Sequence, residues 1–175
     1  MKRSRQRVVL AVLVVAFVAV GVAAAGLNRN WSQHLSGDFE VPIRDTNAQG
    51  QAIFHLSTDG SALDYKLIAS NIDNVFMAHI HVGPPGVNGP IVVWLYPSTD
   101  PVAGPLGSGR HDGVLAQGTI TEANFGGPLA GASMSDLVEL MQSDGAYVNV
   151  HTNDGVDPTN TGPGDFPGGE IRGDL

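Results

Sequence analysis

The chain has 175 residues, with 23 glycines, 11 prolines, no cysteine and a formal charge of −8. That length suits one domain. The missing cysteines exclude a disulfide framework, a thiolate metal site, a cysteine nucleophile and a lipid-attachment cysteine. The acidic balance argues against nucleic acid and anionic lipid as partners.

The elements are read in chain order. Residues 1–25 join a basic MKRSRQR to an apolar run, VVLAVLVVAFVAVGVAAAG, with Ala23-Ala24-Ala25 as a small-residue cleavage site. This order is that of a signal peptide. The apolar run of 8–26 is also long enough to act as an uncleaved membrane anchor. In either case the following domain is expected to be secreted or extracytoplasmic, touching a membrane only through this segment. Without residues 1–25, five basic residues face 17 acids, a net charge of −12.

Residues 26–33 read as a linker, and LSGDFEVPI (35–43) as a first strand. QAIFHLS (51–57) and ALDYKLIAS (62–70) alternate around Thr58-Asp59-Gly60-Ser61, the pattern of a hairpin. MAHIHV (77–82) and PIVVWLY (90–96) are strands joined by GPPGVNG, a turn stiffened by Pro84 and Pro85. Residues 97–113 carry no periodicity and read as a loop. VLAQGTIT (114–121) is a strand. A single helix is expected near 135–143, with Leu137, Leu140 and Met141 on one face, Ser133 or Ser135 as cap and Gly145 at its end. AYVNVHT (146–152) and GEIRGDL (169–175) close the chain as strands. Eight short strands without βαβ alternation predict an all-β fold: an antiparallel sandwich or barrel of Greek-key type with one short helix.

LSGDFEVP, HIHVGPPGVNGPIVVWL, the G-T-I-T strand, AYVNVHT and GGEIRGDL together resemble the chordin-type (CHRD) domain, over roughly residues 34–175. The likeness is to a single-domain, exported, bacterial-type member. Such domains occur in animal chordin, a secreted antagonist of bone morphogenetic proteins, and in exported bacterial proteins. The resemblance implies an immunoglobulin-like β fold and no particular reaction. NDGVDPTNTGPGDF, between NVHT and PGGEIRG, is longer than the link common in the family.

The residues that carry chemistry are histidines. Side chains alternate along a strand. Met77, His79 and His81 therefore share one face, and Tyr147, Asn149 and His151 share the polar face of AYVNVHT. If those faces adjoin, His79, His81 and His151 converge as a candidate site for copper or zinc. The spacing resembles the copper site of Cu/Zn superoxide dismutases, without that family's cysteines. The alternative is that the imidazoles tie a strand to the Gly/Pro loop by hydrogen bonds. His111 and His55 are weaker candidates; His111, on a long loop, could supply a fourth ligand. Glu170 and Arg172 are expected on one face, and an Arg172 paired with a carboxylate there would orient it or lock the last strand into the sheet. The Arg-Gly-Asp at 172–174 is read as coincidence. Asp154, Asp157 and Asp165 fit no calcium loop, so residues 153–166 read as a flexible acidic loop.

No G-x-S-x-G, H-E-x-x-H or nucleotide loop is present. The sequence reading therefore leans away from an enzyme. It favours a non-catalytic binding or structural module at the cell surface with a protein or polymer partner. The alternative is a copper- or zinc-binding domain, extending to superoxide-dismutase-like redox activity.

Overall fold

A computed structural model describes residues 29–175. The expected signal or anchor segment and the start of the linker lie outside the described residues. Eight strands form one sheet: β1 (Asn30–Ser36), β2 (Gln49–Leu56), β3 (Leu63–Asp73), β4 (Val75–Val82), β5 (Ile91–Tyr96), β6 (Arg110–Ile120), β7 (Ala146–Thr152) and β8 (Ile171–Asp174). The helix α1 spans Met134–Gln142.

The sheet order is β5-β4-β7-β8-β1-β2-β3-β6, and every pairing is antiparallel. Its two end strands, β5 and β6, come close together without sharing a ladder. The Tyr65 hydroxyl of β3 donates to the Leu95 carbonyl of β5 at 2.6 Å and bridges that gap. The expected sandwich or barrel thus takes a nearly closed, barrel-like form.

The hydrophobic core follows from alternation. Phe54, Leu67, Ile80, Leu95 and Val148 are buried in one cluster, to which α1 adds Met134, Leu137 and Met141. Ser133 caps α1: its backbone N–H and its hydroxyl both donate to Asp136 Oδ2, at 2.8 and 2.6 Å. Gly145 N–H returns to the Leu140 carbonyl and ends it.

Three segments depart from the sequence reading. The first strand begins at Asn30, inside the expected linker, and ends at Ser36. LSGDFEVPI is therefore not a strand: a 3₁₀ turn at Gly37–Phe39 breaks it, and Phe39 and Ile43 are exposed. β6 begins at Arg110, within the expected loop, where it pairs with Asp73 of β3.

Residues 153–168 are not a loose loop. Asp165 and Phe166 are buried. Asp165 Oδ2 accepts from the backbone N–H and hydroxyl of Thr161, and Phe166 N–H donates to Thr152 Oγ1. The guanidinium of Arg44 lies 4.6 Å above the Phe166 ring. This segment, the 83–89 turn and residues 37–48 cover the outer face of β4, β7 and β8, so β7 is buried on both sides.

Candidate metal centre

β4 and β7 are neighbours, and their register sets Met77 opposite His151, His79 opposite Asn149 and His81 opposite Tyr147. Directly opposed residues of an antiparallel pair project to the same face. The three histidines therefore meet on the outer face, beneath the covering segments. His79, His81 and His151 are all buried, and one ligand nitrogen of each lies within 4.8 Å of the others. Ring centroids stand 4.9 Å (His79–His151), 5.5 Å (His79–His81) and 5.8 Å (His81–His151) apart.

Hydrogen bonds set the tautomers. His81 Nδ1 lies 2.9 Å from the Gly89 carbonyl and His151 Nδ1 lies 2.9 Å from the Pro167 carbonyl. A carbonyl can only accept, so both Nδ1 atoms carry the proton and both Nε2 atoms keep a lone pair. His81 Nε2 is buried and has no partner. His151 Nε2 lies 3.1 Å from His79 Nδ1. With no ion between them, His79 donates there, and His79 Nε2 is left buried without a partner.

Burial keeps the imidazoles neutral. It lowers His79 to about 2, helped by the facing His151 and His81. It lowers His151 to about 3, helped by His81. Burial also lowers His81, against the opposing pull of its bond to Gly89. Neutral imidazole is the form that ligates a metal. Zn–N bonds of the usual length set two ligands on one ion about 3.3 Å apart. His79 Nδ1 and His151 Nε2 are already near that separation.

The CHRD domain family model matches residues 31–175, nearly the whole described chain. The chain belongs to the CHRD-domain family. No curated protein and no solved structure matches it.

Around the histidines, the CHRD domain supplies partners that the sequence reading did not single out as functional. Trp94 of β5 is opposite His79, its ring edge-on at 4.2 Å. Tyr147 stacks on His81 at 4.8 Å. Asn149 donates from Nδ2 to Glu40 Oε1 at 2.8 Å. Strand alternation already put Tyr147 and Asn149 on the histidine face, whereas nothing local in LSGDFEVP points to Glu40. Burial raises the Glu40 carboxyl to about 8, although Arg172 and Arg44 pull it down. Two glycines make room: a Cβ at Gly89 would collide with the Val82 carbonyl, and one at Gly169 with Asn149 and Glu40.

Arg172 has no exposed surface. Its carboxylate partner is Asp174 Oδ1 at 2.7 Å, not Glu170. Arg172 also donates to the carbonyls of Val87 and Pro84 at 3.0 and 3.1 Å, clasping the Gly/Pro turn, and lies 3.5 Å above the Tyr147 ring. Glu170 instead accepts from Thr46, Thr152 and the Gly164 N–H. Gly169, at φ +125, turns the chain just before it. The buried guanidinium cannot present the Arg-Gly-Asp tripeptide to a partner.

His111 is not in the cluster: it sits on β6 and bonds back to the Gly113 carbonyl. His55 pairs with Asn30 on the surface. Among the described residues, His79, His81 and His151 are the grouping of three or more His, Cys, Asp or Glu side chains within ligating reach. Asp154, Asp157 and Asp165 form no such group. Among the described residues, no helix is long and apolar enough to cross a membrane.

Proposed function

We propose that this protein is an exported, non-catalytic CHRD module that holds one copper or zinc ion between His79, His81 and His151. One observation carries the metal reading. The three neutral imidazoles share a single buried spot, and backbone carbonyls fix two of them with their Nε2 lone pairs turned inward, that of His81 without a partner and that of His151 toward His79. A backbone acceptor on the far nitrogen is the usual way a protein orients a histidine ligand. Export rests on the order of residues 1–25, a basic start, an apolar run and a small-residue site. A cell-surface partner of the module follows from export, and the fold assigns no chemistry to it.

Calorimetric titration of zinc and copper into the 29–175 domain and its His81→Ala variant tests the reading. Binding of one equivalent, lost in the variant, is the expected result. No heat from either metal in the wild type overturns it. Fractionation of the native cell checks export: full-length chain in the soluble cytoplasm would refute it.

A second reading also has its own observation. His81 and His151 fasten the 83–89 turn and the 153–168 segment to the sheet. As purely structural residues they would stabilise the domain equally with and without metal.

A further inference from the structure

The inference here rests on the metal reading and specifies it. We propose that Met77 completes the His79–His81–His151 site as a thioether ligand and that the ion held there is cuprous.

The register places Met77 directly across from His151, on the face that carries the three histidines. A bulge falls between Val75 and Met77, where the pairing with β7 shifts. Bulges re-aim side chains beside sites. Phe76, the extra residue, is buried with its ring edge-on to His151 at 6.4 Å. Met77 itself is half-buried, so its flexible side chain can adapt to a neighbouring ion.

The surroundings favour a single, soft positive charge. The three grouped ligands are all neutral imidazoles, and no carboxylate belongs to the group. Glu40 is hydrogen-bonded to Asn149, the residue opposite His79 on β7, and not to a histidine. The walls are aromatic: Trp94 on His79, Tyr147 on His81 and Phe76 on His151. Behind Tyr147 lies the buried guanidinium of Arg172, and its charge is answered by Asp174. A doubly charged ion with only neutral ligands in such a place carries a large desolvation cost. A monovalent ion carries less. Thioether is the soft donor that favours cuprous copper, and imidazole serves copper as readily as zinc; a zinc ion on three histidines takes a water as its fourth ligand and has no need of the thioether.

The test compares anaerobic cuprous binding, by competition with a chromophoric chelator, with zinc binding by calorimetry. It uses the wild-type domain, Met77→Leu and His81→Ala. Leucine keeps the volume and apolarity of methionine. The wild type is expected to hold cuprous copper more tightly than zinc. Met77→Leu should weaken cuprous binding by at least about tenfold, the least that loss of even an outer-shell partner costs, and leave zinc affinity unchanged. X-ray absorption should show sulfur beside nitrogen around the wild-type copper, and no sulfur in Met77→Leu. Zinc held as tightly as cuprous copper overturns the inference while leaving the metal reading standing. So does a copper shell without sulfur, or a Met77→Leu protein with unchanged affinity. Failure of the wild type to bind either ion removes both readings.

Discussion

His79 Nδ1 stands 3.1 Å from His151 Nε2, and His151 Nδ1 is bonded to the Pro167 carbonyl. This chain fixes the direction of every proton in it. His151 must accept at Nε2, so His79 donates from Nδ1. An ion that takes the place of that proton forces His79 to the other tautomer, with the proton on Nε2. The tautomer switch moves a proton within the ring and releases none to solvent. Binding at this pair therefore leaves the net protonation of the imidazoles unchanged, and proton release on titration should be small above pH 7. Calorimetry in buffers of different ionisation enthalpy checks this: equal heats are expected.

Stability should peak near pH 6.5. His79 and His151 have their folded pKa lowered, to about 2 and about 3, from 6.5. Below pH 6.5 the unfolded chain binds protons that the fold refuses, so stability falls with acid until the folded values are reached. Glu40 works the other way. Its folded value is raised to about 8 from 4.5, so the fold holds a proton that the unfolded chain gives up, and stability falls as pH rises toward 8. Each titrating group contributes a slope of about 1.4 kcal/mol per pH unit. Two histidines outweigh one glutamate below pH 6.5, and the glutamate acts alone above it. Urea midpoints from pH 4 to 9 should trace this dome. Glu40→Gln should flatten its alkaline side; an unchanged alkaline limb in that variant would show that Glu40 is not its source.

Much of this was legible in the chain because alternation is a strong signal where one face is apolar. AYVNVHT and MAHIHV each separate aliphatic from histidine-bearing positions, and the site uses those faces. Register was not legible: nothing local says that His79 meets Asn149. The first strand was misplaced because NWSQHLS is polar on one side, while the apolar residues of DFEVPI lie outside the core. Which carboxylate Arg172 takes is not legible either: Glu170 and Asp174 share its face by alternation, and the turn at Gly169 directs Glu170 to Thr46, Thr152 and Gly164 while Asp174 takes the guanidinium.

That covering segment carries the next prediction. Polar, glycine-rich NDGVDPTNTGPGD reads as dispensable, since closure entropy changes slowly with loop length. The structure instead stitches it to the sheet through Phe166 and the Gly164 N–H bond to Glu170, and Asp165 braces it internally by accepting from Thr161. Deleting residues 154–166 takes the Gly164 N–H from Glu170 and the Phe166 N–H from Thr152. Each group so deprived costs about 1–3 kcal/mol, so a loss above about 3 kcal/mol is expected. A shift near 1 kcal/mol in chemical denaturation would show that the segment is a passive tether.

Arg172→Lys is the sharpest test of how the site is roofed. The guanidinium is fully buried and serves the Pro84 and Val87 carbonyls, Asp174 and the face of Tyr147 together. Lysine keeps the charge but has no planar fork to span those acceptors or to lie flat on the ring. Removing one partner from a buried ion pair costs about 3–5 kcal/mol. Lysine should sit toward the low end of that range, because it still answers Asp174, and methionine toward the high end. The damage should not stop at stability. The Gly/Pro turn held by Arg172 carries the Gly89 carbonyl that fixes His81, so loosening the turn frees the imidazole to rotate. Hydrogen exchange at the amides of 83–89 should rise in Arg172→Lys while those of β2 and β3 stay protected. In metal titrations the same variant should weaken binding although it touches no ligand. Uniform exchange across the sheet, or binding as tight as wild type, would mean that the turn holds its place without Arg172.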